Sequence, residues 1–340
     1  MATDDTAEAF ADPAGEEVEV KRFEFDVTGR HEGRRLDAYM AARFSEYSRT
    51  FVKALIQEGQ ITVNGAPVKP SHAPVRGDRI VALVPMRRHE EVPPEDIPLD
   101  ILYEDDWIVV VNKPPDLVVH PSKGHQTGTL VNALVYHFQE LSGVSGALRP
   151  GIVHRLDRDT TGAILVIKED AVHEDIARQF EERRVKKEYI AVCEGRVELD
   201  SDLVDAPIGP DRHAREKMAI RPSVGKEART IYEVVERLGD FCIVRCRILT
   251  GRTHQIRVHM RHIGYPLVAD ALYGQRDALY PSDLSGGEHR PDEEPLIARQ
   301  ALHARRLSIH HPVRDEMMTF EAPLPDDMMR LIEALRCRAE

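Results

Sequence analysis

Residues 154–162 read HRLDRDTTG. Asp157 stands between Arg155 and Arg158 and is followed by Thr160, Thr161 and Gly162, a hydroxyl-rich turn that closes on a glycine. A carboxylate flanked by guanidinium groups on a tight turn has the make-up of a covalent catalyst. Alone, the same aspartate could simply cap its turn by accepting backbone N–H groups, so its neighbours in sequence decide. Upstream, ILYEDDWIVVVNKPPDLVVH (101–120) gives two Val- and Ile-rich strand runs broken at Pro114-Pro115-Asp116. Downstream, strand and helix signals mix irregularly to about residue 322. The lack of regular strand–helix alternation predicts an α+β domain with a largely antiparallel sheet. FCIVRCRIL (241–249) reads as one of its strands, residues 275–297 as a surface insertion rich in Ser, Gly, Pro and acids, and PLPDDMMRLIEALRCR (323–338) as a final helix with Met328, Leu331, Ile332 and Leu335 on one side.

A second unit precedes this one. RRLDAYMAARF (34–44) and SRTFVKALIQEG (48–59) carry apolar residues at helical spacing, with Ser48 as a cap and Gly59 as a stop. ITVNGAPV (61–68) and VRGDRIVALV (75–84) then supply three strands around Asn-Gly and Gly-Asp turns. The reading is an αα-βββ module over 33–84, a Pro- and charge-rich linker over 85–97, and a larger domain over 98–340. Residues 1–32, ten acidic against three basic side chains, read as a disordered leader.

The chain has 340 residues, 42% of them hydrophobic, enough for two packed units. Its net charge of −12 argues against a polyanionic partner until its distribution is seen. Residues 33–84 hold eight basic and four acidic groups, and residues 212–261 twelve and five. The acidity therefore belongs to the leader and the basicity to folded segments. No apolar run reaches membrane-spanning length and the N-terminus is acidic where a signal peptide is basic, so the expected location is the cytoplasm. Cys193, Cys242, Cys246 and Cys337 lack metal-site spacing and read as reduced thiols. His154, His254, His259, His303, His310 and His311 suggest a metal site, but His254 and His259 are accompanied by arginines, which disfavours a divalent cation, and no G-x-S-x-G elbow supports a serine triad.

Seven motifs occur in fixed order: YEDDWIVVVNKP, LVVHP, GIVHRLDRDTTG, KKEYIAVCEG, GRTHQIRVHM, GYPLVADALYG and LHARRLSIHHP. Together they resemble the RluA-type pseudouridine synthases, and RLDxx, SRxxVKxLIxxGxxxVNG and the late Gly-Asp resemble the S4 RNA-binding domain. The resemblance implies a pseudouridine synthase fold, a mostly antiparallel mixed sheet with a central cleft behind a small αα-βββ domain. It implies isomerisation of uridine in large-subunit ribosomal RNA without a cofactor; nothing in the sequence demands more than a monomer. The alternatives are the same reaction on another RNA, such as transfer RNA, and a non-catalytic RNA-binding ribosome-assembly factor.

By the same resemblance Asp157 is the essential carboxylate, Tyr189 stacks on the target base, and Arg257 pairs with Asp157. Arg155 fills the gap left by the extruded nucleotide, the alternative being a local pair with Asp157 or Asp159. Leu302 packs against the base, and Arg252 and His254 also face the substrate. Arg43, Arg49 and Lys53 of the small module, with Arg212, Arg215 and Lys217 of RHAREKMAIRP (212–222), are expected to hold RNA. Two positions depart from the family pattern: Asp116 where glycine is usual, which matters if that turn needs positive φ, and Thr161 where serine is commoner.

Overall fold

A computed structural model describes residues 8–11, 17–28, 33–44, 47, 49–85, 92–121, 126–138, 140–146, 148–214, 216–287, 290 and 292–339. The chain divides into two units, residues 1–90 and 91–340.

The first unit contains β1 (Glu8–Ala11), β2 (Glu17–Asp26), α1 (Leu36–Arg43), α2 (Arg49–Gln57), β3 (Ile61–Val63), β4 (Ala66–Pro67) and β5 (Arg79–Pro85). Its strands form one antiparallel sheet in the order β1-β2-β5-β3-β4. Leu36, Tyr39 and Met40 of α1 and Val52, Leu55 and Ile56 of α2 are buried with Ile61, Val63, Ile80 and Ala82 of the sheet, as their helical and alternating spacings require.

The leader differs from the expectation of disorder, because β2 pairs with β5 from Val20 opposite Pro85 to Asp26 opposite Arg79. The reason is a period of two that the acid count conceals: Phe23, Phe25 and Val27 alternate with Arg22, Glu24 and Asp26. Phe23 meets Phe44 edge-on at 4.8 Å and Phe25 lies 6.2 Å from Tyr39, so the strand closes the core over α1. Ser48, the expected cap of α2, and residues 86–91 of the expected linker lie outside the described residues.

The second unit contains β6 (Ile101–Glu104), β7 (Ile108–Lys113), α3 (Leu130–His137), β8 (Thr161–Ile167), α4 (Asp170–Glu181), β9 (Lys186–Glu194), β10 (Ser201–Asp205), β11 (Ile208–Pro210), β12 (Met218–Ile220), β13 (Arg229–Leu238), β14 (Phe241–Ile248), α5 (Gln255–His262), α6 (Pro281–Ser285), β15 (Leu302–His311), β16 (Glu316–Glu321) and α7 (Asp326–Ala339). A nine-stranded sheet runs β10-β13-β14-β9-β15-β8-β7-β6, with β16 also beside β15. Every pairing in it is antiparallel except β8 with β15, which gives the mixed, mostly antiparallel sheet of an α+β fold.

Both faces of the sheet centre are covered. Val109, Val111, Ile164 and Val166 share a core with α3 and α5, while Ile108, Val110, Leu165 and Ile167 share one with α4. This is why β7 and β8 read as continuous apolar runs and not as alternating ones. Met328, Leu331, Ile332 and Leu335 seat α7 as expected. Two expectations are corrected. The stretch 275–297 is not only a surface insertion: it holds α6, and Leu279 and Ile297 bridge to each other and are buried. The basic stretch 212–222 is not all loop, since β12 closes a hairpin on β11. Among the described residues no helix is long and apolar enough to cross a membrane.

Candidate active site

The turn after Asp157 is fixed from three sides. At the mouth of β8, Thr161 and Gly162 pair with His303 and Ala304 of β15. A Cβ on Gly162 would lie 2.3 Å from the Ala304 carbonyl oxygen, and its φ of 112° is a glycine conformation, so only glycine fits. Lys113, at the end of β7 and fully buried, donates to the carbonyls of Pro114 (2.8 Å), Leu117 (2.8 Å) and Arg158 (2.6 Å), using all three ammonium hydrogens. Arg299 donates to the Asp159 carbonyl at 3.0 Å while its other nitrogens hold Asp327 at 2.7 and 2.8 Å. The turn at Asp116 does take positive φ, 55°, where aspartate replaces the usual glycine.

Asp157 thereby projects into a cleft of about 500 Å³, which Tyr189, Arg155, Leu302, Arg252, His254 and Arg257 also line. Arg257 lies in the first turn of α5 and is 5% exposed. Its Nη1 donates to Asp157 Oδ2 at 3.1 Å, and its Nε and Nη2 make a bidentate pair with fully buried Asp270 at 2.7 and 2.8 Å. Asp270 also accepts the backbone N–H groups of Leu272 and Tyr273, both at 3.1 Å. Burial works against the charge on Arg257, but the bonds and charge of Asp270 and Asp157 outweigh it and raise the pKa. The result is a chain Asp270–Arg257–Asp157 in which the interior carboxylate neutralises the guanidinium and leaves it rigid.

The second oxygen of Asp157, Oδ1, has no hydrogen bond among the described residues. His254 Nε2 stands 4.0 Å from it, and His254 Nδ1 is 2.8 Å from the Tyr273 hydroxyl. That hydroxyl accepts the backbone N–H of Met218 at 2.7 Å, so its own hydrogen is free to go to Nδ1. His254 then carries its proton on Nε2, facing the carboxylate. Burial lowers the His254 pKa against the pull of Asp157, which keeps the ring neutral at neutral pH. His254 itself is held in a left-handed conformation, φ 56°, at the cap of α5.

Tyr189, on β9, and Leu302, the first residue of β15, are buried cleft walls. Burial, and then the charge of Asp157, raise the Tyr189 pKa, so the phenol is neutral. Arg155 is exposed at the cleft and has no ion pair among the described residues; Arg158 takes Asp159 at 3.3 Å and Asp116 at 3.5 Å. Arg252 donates through Nε to the Glu227 carbonyl at 2.9 Å. His259 points away to Thr230 and Ala206, and His303 bonds Thr161 at 2.9 Å, so these rings serve separate networks.

The expected RNA-holding residues fare unevenly. In the first unit Arg49 is exposed but pairs with Asp37 at 3.1 Å, Lys53 lines a shallow basic pocket with Arg35 and Lys69, and Arg43 lies 3.9 Å over the Phe25 ring. In the second, Arg212 is exposed and Lys217 half-buried on the loop of the β11–β12 hairpin, while Arg215 lies outside the described residues. Sequence reading missed Lys113, Asp270, Tyr273 and Arg299. The legible signal was a charge set in an apolar stretch, as in IVVVNK and LVADAL, since an ionised residue is buried there only when paired.

What this assembly can do is present one restrained and one free carboxylate oxygen beside a neutral phenol in a half-enclosed cleft. Known proteins resemble the chain in sequence and fold. The sequence pattern described as RNA pseudouridylate synthase matches residues 107–262, and that of the S4 domain matches 34–80. The chain is 44% identical over 315 residues to an uncharacterised RNA pseudouridine synthase of Bacillus subtilis, spanning 92% of this chain and 98% of that one. It is also 44% identical over 308 residues to the ribosomal large subunit pseudouridine synthase D of Neisseria meningitidis serogroup B, spanning 90% and 80%. Among solved structures, human RNA pseudouridylate synthase domain containing 4 superposes with a TM-score of 0.54 at 25% identity, over 70% of this chain and 93% of that one. Human RNA pseudouridylate synthase domain containing 1 gives 0.51 at 30%, over 72% and 97%.

Proposed function

This chain belongs to the RNA pseudouridylate synthase family, and from that premise we propose that it isomerises uridine to pseudouridine in large-subunit ribosomal RNA with Asp157 as the essential carboxylate. The observation that carries the reading is the free Oδ1 of Asp157 in the cleft, with Oδ2 held by Arg257. The relatives named for the large ribosomal subunit, together with the S4 domain, support the choice of RNA.

The reaction needs no redox partner. In one path Oδ1 attacks the ribose C1′, and the electrons of the C1′–N1 bond leave with the uracil. The ring turns, its C5 displaces the carboxylate, and the C5 proton is exchanged for one on N1. In the other path Asp157 removes the C2′ proton as the C1′–N1 electrons leave with the uracil, giving a glycal; C5 of the turned ring then bonds C1′ as the proton returns to C2′, and the C5 proton is exchanged for one on N1. Both begin at the same carboxylate. A neutral Tyr189 serves either path as a platform for the base and as a hydrogen-bonding phenol, not as a phenolate base. Extruding the base costs a few kcal/mol, about what an unpaired loop nucleotide saves, and the unpaired Arg155 guanidinium is free to stack in the gap. The small unit, with Arg49 and Lys53, raises affinity for the RNA.

The test is a pseudouridine map of ribosomal RNA from cells without this protein. One or more large-subunit sites are expected to be lost, restored by the wild-type gene and not by Asp157→Asn. An unchanged large-subunit map with a lost transfer RNA site would move the substrate.

A further inference from the structure

Lys187 lies two residues before Tyr189 on β9, so both side chains leave the strand on one face, and both line the cleft. Its Nζ stands over the Phe180 ring at the end of α4, 5.5 Å from the ring centre. Nζ also stands 3.6 Å from the position a Cβ would take at Gly251, an ordinary contact distance. Nζ has no hydrogen bond or ion pair among the described residues.

Apart from exposed Arg155, the other cations lining the cleft are engaged. Arg183 makes a bidentate pair with Glu227 at 3.1 and 2.8 Å, and Arg252 holds the Glu227 carbonyl. The remaining titratable groups lining the cleft are Asp157, Tyr189, His254, Glu181 and neutral His154, whose pKa burial and then the charge of Lys187 pull down to about 3. Burial likewise pulls Lys187 down to about 8, as expected of an ammonium partly stripped of water with no counter-ion. Such a group costs free energy in the empty cleft and recovers it when an anion arrives.

We infer that Lys187 seats one backbone phosphate of the RNA strand whose nucleotide enters the cleft. This rests on the functional reading above. Uracil is neutral until its bond to ribose breaks, whereas a phosphate is charged throughout and so complements a cation left unpaired in the resting protein.

The experiment measures kcat and KM of the full chain for pseudouridine formation on in vitro transcribed large-subunit ribosomal RNA, at several salt concentrations and from pH 7 to 9. Replacing Lys187→Met is expected to raise KM roughly ten- to hundredfold, the range of a charged hydrogen bond, with kcat nearly unchanged. The slope of log KM against log salt should shrink by roughly 0.7 to 0.9, one phosphate's share. A bound phosphate raises the lysine pKa, so wild-type affinity is full below about 8 and declines as pH rises through it. Lys187→Arg keeps its charge and should flatten that decline while retaining most of the affinity. A loss confined to kcat would instead assign Lys187 to the departing uracil and overturn the proposal. Unchanged kinetics, or equal losses in both variants, would reduce it to a solvated or packing residue. If the wild-type chain forms no pseudouridine, it is the underlying functional reading that fails.

Discussion

Asp157 would be an ordinary exposed turn residue without the two groups behind it. Arg257 spans two carboxylates, and the fully buried one, Asp270, takes two of its three bonds. Its removal leaves a guanidinium at 5% exposure with half its charge compensation. Breaking such a buried pair costs about 3–5 kcal/mol. Asp270→Asn is therefore expected to lower the melting temperature of the second unit and to depress kcat, both readable by calorimetry and single-turnover assay; a variant as stable as wild type would show the pair to be dispensable. Tyr273→Phe tests the tautomer of His254. Without the phenol hydrogen on Nδ1, the proton of the neutral ring is no longer fixed on Nε2, and kcat should fall about fivefold, the value of one neutral hydrogen bond, with KM unchanged. Asp270 was signalled only as a charge in the apolar stretch LVADAL and Tyr273 by no periodic pattern, and only the fold brings them, 13 and 16 residues further along the chain, to Arg257.

At the level of elements, the apolar spacing of α1, α2 and α7 and the Asn64-Gly65 turn were legible because local patterns determine them. The strand β2 was not, since its alternation is written in few apolar residues among many acids, and its value lies in a partner, β5, more than fifty residues away. That pairing changes what a truncation should do. Deleting residues 1–32 removes the neighbour of β5 and uncovers Phe44 and Tyr39, so limited proteolysis should find residues 33–85 cut far faster than in the intact chain. Equal protection would make β2 an ornament of the sheet. The turn at Asp157 was half legible. Its composition announced Asp157, but the staples from Lys113 and Arg299 come from the ends of other strands and loops, which no local reading connects.

The whole molecule reconciles an acidic chain with an anionic substrate by placement. The net charge of −12 coexists with a cleft lined by Arg155, Lys187, Arg252 and Arg257 as well as Asp157. Four of the seven motifs line that cleft, and Lys113 and Asp270 from two of the others hold the Arg158 carbonyl and Arg257 in place. All of it converges on Asp157, and the most direct measurement is tritium release from ribosomal RNA labelled at uridine C5, under single turnover, with RNA affinity measured in parallel. Asp157→Asn keeps the shape and loses the charge. It is predicted to bind RNA about as tightly as wild type and to release no tritium above background; release at a rate near wild type would contradict the assignment of the chemistry to Asp157.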